Sequence, residues 1–374
     1  MNKTKFIFFL ISVLGIVSLL TYLNYDKILN YFTNKEWQIA DSVGKIELGD
    51  YIDTCGTSSN FFVVKSDAVE GYSETAKKSF EKSIDNKEIV VHTNADYCII
   101  AEKGATNVTV FSGNEIVWNT TISNASIMGA GINKNGYSAI IYSQTGYKSL
   151  IKVFSNTGVE LFTNYLASTY ALDVAISNDN KYLAIAEIDT NGINVESQIK
   201  IINIEEASES NIKKYELDSD ELITDIEYNE SNDLVIMTDS NVKLLKDESL
   251  KKVVDYAVDN VLFADISNRK NAIVVQNKKN GLFDENVQVC IYNFDLEKEP
   301  EIYELEDIPN GIKCMKNIIA IDTGAEIIFL NTSGNFVKKC EYKGQLKDLK
   351  LFNDGNTAVL IFRDEADFIK VGGI

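Results

Sequence analysis

The chain has 374 residues, of which 45% are hydrophobic and 10% aromatic, so it can bury a sizeable core. Its formal net charge is −19, and residues 1–36 contribute +2 (four lysines against one Asp and one Glu), which leaves −21 for the remainder. Because a domain of that charge repels phosphate backbones and anionic lipids, we exclude nucleic acid as a partner. We expect a solvated acidic surface, and the alternative is attraction of cations or of a basic partner.

The amino-terminal segment predicts a membrane anchor. No residue from 6 to 25 is charged, and twenty helical residues extend about 30 Å, the thickness of the hydrocarbon core of a bilayer. Two lysines on the short flank predict a cytoplasmic amino terminus and a domain on the outer side of the cell membrane. We therefore predict a single-pass protein with a cytoplasmic tail, a transmembrane helix in the lipid bilayer, a juxtamembrane stalk and one domain, at 1–5, 6–25, 26–36 and 37–374.

Two other interpretations of residues 6–25 are weaker. A cleaved signal peptide requires small residues around a cleavage site, whereas this chain continues Thr21-Tyr22-Leu23-Asn24-Tyr25. A buried core helix fits poorly with the terminal position and the length of the run. We therefore favour the anchor.

The stretch Ile176–Ala186 predicts the end of one strand, a polar turn and a second strand. Asn178, Asp179 and Asn180 are turn formers, because their short side chains bond nearby backbone and tolerate left-handed φ and ψ angles. The apolar run Tyr182–Ala186 is too short for an independent helix and fits a strand that is covered on both faces.

Apolar runs of this kind recur along the chain. Eight of them align, with centres at Phe62, Cys98, Ala139, Ala184, Leu234, Ala272, Ile318 and Ala358. The successive spacings are 36, 41, 45, 50, 38, 46 and 40 residues. A period near 40 residues with four short strands per unit is typical of a β-propeller. The sequence therefore predicts an all-β propeller of about eight four-stranded blades, or seven if residues 49–84 are irregular.

The repeat spacing also predicts how the ring closes. We place the blades at residues 49–84, 85–123, 124–167, 168–218, 219–257, 258–306, 307–342 and 343–374. The last block has room for three strands, and a ring with an open seam would expose unpaired strand edges. We therefore predict that residues 37–48 supply the missing outer strand of the last blade.

Two features of the sequence carry a family resemblance. Residues 177–184 resemble the phrase SPDGKxLA of many β-propeller repeats, with Asn178 in place of Pro and Asn180 in place of Gly. An anchor followed by about eight such units, with the phrase Lys134-Asn135-Gly136-Tyr137-Ser138-Ala139, resembles domain-of-unknown-function family 5711. The resemblance covers most of residues 40–371 and implies membrane-anchored, WD40-like propellers of clostridial-type bacteria. It implies no activity and no functional residues.

The cysteines and the single histidine provide little evidence for a metal site or a catalytic set. The five cysteines, each inside an apolar run, are Cys55, Cys98, Cys290, Cys314 and Cys340. No two form a CxxC pair, and one histidine cannot complete a zinc site of the usual Cys/His type. We expect buried thiols that behave as hydrophobic residues. A single disulfide bond between two of them is the alternative. Any Ser-His-Asp or Cys-His set would need His92, whose position after Ile89-Val90-Val91 favours a structural or surface role.

Three acidic segments resemble cation sites and are interpreted as ordinary loops. Asp189–Glu196 alternates oxygen-bearing side chains but lacks the twelve-residue order and the bidentate glutamate of a calcium loop. We expect a solvated acidic turn and an exposed loop at the other two segments, which are Asp218, Asp220, Glu221 and Asp225, and Asp284-Glu285. We therefore assign no catalytic, cofactor-binding or metal-binding residue and no cofactor.

The best hypothesis from the sequence is a binding or scaffolding module for a protein or envelope component, without enzymatic activity. The alternative is an enzyme that acts on cell-envelope glycan with a carboxylate pair about 5–10 Å apart at the propeller mouth. A third is a sensor of divalent cations. All three rest on analogy with the fold.

Overall fold

The protein is a β-propeller of eight four-stranded blades, as a computed structural model shows. The structure describes residues 40–371 apart from 86–87, 207–210, 219–220, 257–259, 280–284 and 295–297. The eight predicted apolar runs are the second strands of the eight blades, which confirms the predicted count and shows that seven was wrong. The predicted tail, membrane span and stalk lie outside the described residues. Within those residues, no helix has the length and apolar character needed to cross a membrane.

Each blade is an antiparallel meander whose strands follow chain order. Blades 1 to 4 are formed by β2 (Asp53–Gly56), β3 (Phe61–Val64), β4 (Ala68–Tyr72) and β5 (Lys78–Ser83); β6 (Ile89–Asn94), β7 (Tyr97–Glu102), β8 (Asn107–Ser112) and β9 (Glu115–Thr121); β10 (Ser126–Ile132), β11 (Ser138–Gln144), β12 (Tyr147–Phe154) and β13 (Glu160–Leu166); β14 (Thr169–Ile176), β15 (Tyr182–Asp189), β16 (Glu196–Asn203) and β17 (Lys213–Glu216).

The second half of the ring repeats the pattern. Blades 5 to 7 are formed by β18 (Ile223–Tyr228), β19 (Leu234–Thr238), β20 (Asn241–Lys246) and β21 (Ser249–Asp255); β22 (Val261–Asp265), β23 (Asn271–Lys279), β24 (Glu285–Asn293) and β25 (Glu301–Leu305); β26 (Gly311–Met315), β27 (Ile318–Asp322), β28 (Glu326–Asn331) and β29 (Phe336–Glu341). Blade 8 contains β30 (Asp348–Leu351), β31 (Thr357–Ile361), β32 (Glu365–Lys370) and, as its outer strand, β1 (Ser42–Glu47).

The ring closes through β1, as the sequence predicted. β1 pairs antiparallel with β32, from Ser42 opposite Ile369 to Glu47 opposite Glu365. The edge of blade 8 is therefore paired by the start of the domain, and the exposed seam that an open ring would leave is avoided.

The first strands of neighbouring blades contact one another and surround the central channel. All of them run in the same direction, so the ring has two distinct faces. We call the face at which the first strands begin the upper face, and it also carries the loops between second and third strands. The turns between first and second strands lie on the lower face.

The hydrophobic core is divided among the blade interfaces. In the part of the chain that the structure describes, eight clusters of buried apolar side chains each join two consecutive blades. In β15, Leu183 and Ile185 pack toward blade 3, while Ala184 and Ala186 pack toward blade 5. Because successive side chains of a strand point to opposite faces, one apolar run serves two interfaces. Each fully buried Leu or Ile contributes roughly 1.5–3 kcal/mol.

Asparagine side chains link neighbouring turns on the lower face. Asn133 donates from Nδ2 to the carbonyl oxygen of Ser177 at 2.9 Å, and Asn178 does the same to Asn229 at 2.7 Å. Asn180 adopts the left-handed conformation that the turn requires, with φ of 63°. The turn formers of the sequence therefore also connect blades 3, 4 and 5.

The first strands of four consecutive blades share an irregularity on the upper side. The register shifts at one residue in each of β10, β14, β18 and β22, at Met128, Leu172, Thr224 and Leu262. The four other blades have regular first pairs. A bulge changes the direction of the side chains that follow it. In blades 4 and 5 the residues after the bulge are Asp173 and Asp225, which both enter the channel wall.

Substitution of Gly131 tests how closely the first strands of blades 3 and 4 approach each other. An alanine Cβ at this position would lie 2.5 Å from the carbonyl oxygen of Val174 in the next blade. Because that neighbour is backbone, we expect Gly131→Ala to lower the free energy of unfolding by about 1–3 kcal/mol. Urea denaturation of the full-length protein in detergent measures the change. The matched Gly192→Ala has its nearest neighbour at 3.5 Å and should stay within about 0.5 kcal/mol of wild type. Equal stability of all three proteins would contradict the close approach.

Candidate functional site

The central channel contains a polar cavity of about 320 Å³. Its wall is built from the first strands of blades 1, 2, 5, 7 and 8, with the lower turn of blade 6. Charged side chains of both signs enter it, among them Asp53, Asp225, Glu227, Lys313 and Lys350. First strands are the inner edges of their sheets, so the wall combines these side chains with backbone polar groups.

A network of four side chains crosses the lower end of the channel. Arg269 of blade 6 donates from Nε and Nη2 to the two carboxylate oxygens of Glu227, at 3.0 and 3.2 Å. Its Nη1 reaches Oδ1 of Asn94, on the opposite blade 2, at 2.5 Å. His92 Nε2 lies 3.7 Å from Glu227. The bond from Arg269 to Asn94 therefore crosses the ring from blade 6 to blade 2, while the ion pair joins the adjacent blades 5 and 6.

Arg269 occupies an uncommon backbone conformation. It stands where the turns of blades 4 and 5 have Asn180 and Asn232, and all three residues have φ between 58° and 65°. Asparagine tolerates this region better than most residues, whereas a long side chain rarely adopts it. The ion pair with Glu227 and the bond to Asn94 are the contacts that the arginine makes in this position.

The network sets the charge of Glu227. Burial alone would raise the pKa of Glu227, but Arg269 and then His92 outweigh that effect and lower it to about 2. The carboxylate is therefore ionised across the physiological range. Two-point contact by a guanidinium is the strongest common arrangement of this kind.

The pKa of Asp225 is shifted in the opposite direction from that of Glu227. Burial, together with the carboxylates of Glu227, Asp173 and Asp265, raises the pKa of Asp225 well above its ordinary value. Asp173 accepts backbone N–H groups at both oxygens, from Val174 at 2.8 Å and Ile226 at 3.2 Å. Burial also raises the pKa of Asp173, against the effects of His92 and of these two backbone N–H groups, which lower it.

Channel side chains also accept backbone N–H groups from the next blade. Ile132 N donates to His92 Nδ1 at 3.2 Å, Ile226 N to Asp173, and Cys314 N to Asp265 Oδ2 at 3.0 Å. These links join blades 2 to 3, 4 to 5 and 6 to 7. A buried N–H without an acceptor is costly, so each link both satisfies a strand edge and fixes the spacing of two blades.

A larger cavity, which we call the mouth cavity, lies on the upper face between blades 6, 7 and 8. Its volume is about 550 Å³. It adjoins the channel cavity at Lys313 and Leu349, which line both. Its apolar wall is formed by Phe263, Ile312, Leu346 and Leu349, and its polar wall includes Asn310, Lys313, Asp322, Tyr342, Gln345, Lys347 and Asp348.

Exposed tyrosines form a second feature of the upper face, over blades 3 and 4. We define the tyrosine surface as Tyr147, Tyr165, Tyr170, Leu172 and Ile193. The rings of Tyr147 and Tyr165 lie 5.1 Å apart, and the two side chains are 43% and 57% exposed. Lys148 Nζ lies 4.9 Å from the ring centre of Tyr170 and 3.1 Å from Asn191 Oδ1, which connects the two blades.

The structure separates the acidic candidates of the sequence. Asp218 remains exposed, but Glu221 is buried against Lys243 and Asn241, and Asp225 enters the channel. The prediction of one solvated turn was therefore wrong for the last two residues. Asp220 and Asp284 lie outside the described residues. Asp189 Oδ1 accepts the backbone N–H of Asn191 at 2.8 Å, so the suggested calcium loop is an ordinary Asx turn beside the tyrosine surface.

The remaining candidates from the sequence are His92 and the five cysteines. His92 is brought into the channel, where its ring nitrogens face the Ile132 amide and the Glu227 carboxylate. All five cysteines are buried, as expected, and the sulfur atoms of Cys55 and Cys98 lie 3.6 Å apart. Among the described residues, no group of three or more His, Cys, Asp or Glu side chains is arranged to hold a metal ion.

Sequence reasoning missed most of the channel residues, among them Asn94, Asp173, Glu227 and Arg269. One signal was available for Arg269, since it is one of two arginines in the chain and stands at a turn position that prefers Asn or Gly. Asp173 and Asp225 were hidden by the bulges, which change the inward-facing positions of their strands.

Comparison with known proteins adds a family to this geometry. Residues 30–371 match DUF5711, a family of unknown function. The chain belongs to the DUF5711 family. A search of the curated proteins finds no match to it.

Solved structures place this DUF5711 protein among propellers. It is similar to the C-terminal WD40 domain of Sif2, with a TM-score of 0.61 and 11% identity over 90% of this chain and 99% of that one. The Dos1 propeller gives 0.60 and 12% over 90% and 96%. The tricorn protease gives 0.51 and 8% over 78% of this chain and 34% of its own. At these identities the likeness shows a WD40-like fold.

The channel ion pair predicts a pH-dependent stability. Arg269→Met leaves the Glu227 carboxylate buried without its guanidinium, so we expect a loss of about 3–5 kcal/mol at pH 7. The pKa of Glu227 should rise in the variant, and the loss should therefore shrink at pH 4, where the group takes up a proton. In wild type, the depressed pKa contributes stability above pH 4.5 that disappears as the pH falls toward 2. Urea denaturation at several pH values measures both effects.

The other arginine supplies the control for this prediction. Arg363 has an 86% exposed side chain, so Arg363→Met should change the free energy of unfolding by less than about 0.5 kcal/mol at either pH. An Arg269→Met protein as stable as Arg363→Met at pH 7 would contradict a stabilising role for the network.

Proposed function

We propose that this protein is a membrane-anchored binding module without enzymatic activity. Residues 6–25 hold it in the cell membrane, the propeller stands on the outer side, and the tyrosine surface docks a basic protein of the cell envelope. The anchor and the location rest on the sequence. The docking surface rests on the exposure of its aromatic side chains.

The tyrosine surface is the observation that carries the proposal. Tyr147, Tyr165 and Tyr170 are each at least 40% exposed, and they lie side by side across two blades. Tyrosine supplies a large apolar area with little loss of side-chain freedom and is enriched among the residues that dominate binding energy. WD40-like propellers, which share this fold, commonly mediate protein binding. The surface is therefore suited to a protein partner.

The position of β1 supports docking on the upper face. β1 begins at the lower end of blade 8, because Ser42 pairs with Ile369 near the end of β32. A stalk at residues 26–36 that leads into β1 brings the lower face toward the membrane. The tyrosine surface and the mouth cavity then face away from the lipid, where an envelope protein can reach them.

Charge defines the partner more closely. The formal charge of −19 repels acidic proteins, and a basic partner is attracted over several ångströms before contact. Lys148 is already engaged with Tyr170, Thr190 and Asn191 in the described residues. The partner that fits best presents an apolar or aromatic centre with lysine or arginine around it.

The mouth cavity favours binding over catalysis. Its carboxylates are engaged, since Asp322 Oδ1 accepts from the hydroxyl of Tyr342 at 2.6 Å and Asp348 pairs with Lys350 at 2.9 Å. One observation favours the glycan hydrolase as a second candidate. Asp225 and Glu227 line the channel with pKa values shifted in opposite directions, which is the pattern of an acid beside an ionised carboxylate.

Site-specific crosslinking tests the docking surface. A photoreactive phenylalanine analogue placed at Tyr165 in the full-length protein should crosslink a basic envelope protein in intact membranes. Tyr147→Ser together with Tyr170→Ser should reduce that product several-fold, because they remove the apolar contact. Raising the salt to about 0.5 M should reduce it further by screening.

The lower face supplies the matched control. Tyr182 is 41% exposed and stands at the other end of its blade, so the same analogue there should give no such product. Equal crosslinking from both positions would contradict docking on the upper face. Hydrolysis of envelope glycan by the full-length protein that is lost in Asp225→Asn would replace the binding proposal with the enzyme.

Protease treatment of intact cells tests the anchor and its orientation. We expect the full-length protein to stay in the membrane fraction after an alkaline wash, because a twenty-residue apolar helix spans the bilayer. External protease should release the propeller by cutting the stalk, while an epitope at the amino terminus remains protected. Protection of the propeller, or its extraction by the wash, would contradict the orientation or the anchor.

A further inference from the structure

The mouth cavity has the dimensions of a small-molecule site. Its volume of about 550 Å³ lies within the range of roughly 300–1,000 Å³ that is typical of ligand pockets. It adjoins the channel cavity at Lys313 and Leu349, which line both.

The carboxylates of the mouth cavity are held by neighbouring groups. Asp322 Oδ1 accepts the Tyr342 hydroxyl and, at 2.8 Å, the backbone N–H of Gly324. Asp348 accepts the Leu349 amide at 2.8 Å and pairs with Lys350. These contacts hold both carboxylates in the cavity wall.

Two lysines of the same cavity are in the opposite situation. Lys313 and Lys347 are exposed, and within the described chain neither ammonium group makes an ion pair or a hydrogen bond. The nearest aromatic contact of Lys347 is the ring of Tyr51 at 6.0 Å. Since Asp348 is paired with Lys350, these two lysines outnumber the one other carboxylate of the wall, which is Asp322. The cavity therefore carries a local excess of positive charge in a negatively charged molecule.

The apolar wall defines the rest of the ligand. Phe263, Ile312 and Leu349 lie beside the two lysines, and Asn310 and Gln345 add amide groups. Apolar walls with few polar groups hold the body of a ligand, while the charged groups orient one end. We propose that the mouth cavity binds a small organic anion, a carboxylate or phosphate ester on a compact apolar body, with Lys313 and Lys347 on the anionic group. This site is distinct from the tyrosine surface, so it goes beyond the proposed function.

Titration of simple probes tests the site. Phenyl phosphate and benzoate are added to the full-length protein in a nonionic detergent, and binding is measured by isothermal titration calorimetry against detergent alone. Each should bind at least ten-fold more tightly than neutral benzyl alcohol, because only the anions engage the lysines. Phenyl phosphate should also exceed inorganic phosphate at least ten-fold, because the ring contacts the apolar wall.

Charge-matched variants locate the binding. Lys313→Gln combined with Lys347→Gln should weaken phenyl phosphate at least ten-fold, whereas Lys343→Gln, at an exposed neighbour outside the cavity, should leave it unchanged. The proposal is overturned if neither anion binds below about 10 mM, if benzyl alcohol binds as tightly, or if all lysine variants behave alike. Tyr147→Ser with Tyr170→Ser should leave probe binding intact, so failure of this site and failure of the docking surface remain distinguishable.

Discussion

The structure depends on the fact that each blade is apolar on both faces. The second strand of a blade sends alternate side chains toward the preceding and the following blade, as Leu183 and Ala184 do in blade 4. A sheet of this kind needs a neighbour on each side, and a row of such sheets ends without exposed faces when it forms a ring. Every cluster of buried apolar residues in the described chain accordingly lies between blades.

The ring solves one problem and creates another at its centre. First strands keep an unpaired edge toward the channel, and their N–H groups need acceptors. Asp173, Asp265 and His92 serve that need between alternate pairs of blades. The polarity of the channel is therefore partly structural, and a carboxylate there is weak evidence of chemistry. The lysines of the mouth cavity differ, because within the described residues neither ammonium group makes an ion pair or a hydrogen bond.

The elements that were predictable are those that local pattern determines. Apolar runs such as Tyr182–Ala186, bounded by turn formers, gave the blade count, and the missing strand of blade 8 followed from the need to pair its edge. The channel was not predictable, because a one-residue bulge at Leu172 or Thr224 changes which side chains face inward. The contact of Arg269 with Asn94 joins residues 175 positions apart, and no local pattern reports such a distance. The tyrosine surface was not predictable either, because the alternation of apolar and polar residues along a strand does not show which tyrosines are exposed.

The closing strand has a consequence for how the protein is made. β1 is among the first parts of the domain to be synthesised, and its partner β32 is among the last, with Lys45 and Glu365 separated by 320 residues. During synthesis β1 has no strand to pair with until β32 is made, after the other seven blades. Loss of β32 would therefore leave two unpaired edges in blade 8, one on β1 and one on β31. The ring can therefore close only after β32 has been synthesised, and a product that stops before β32 exposes unpaired strand edges that can aggregate.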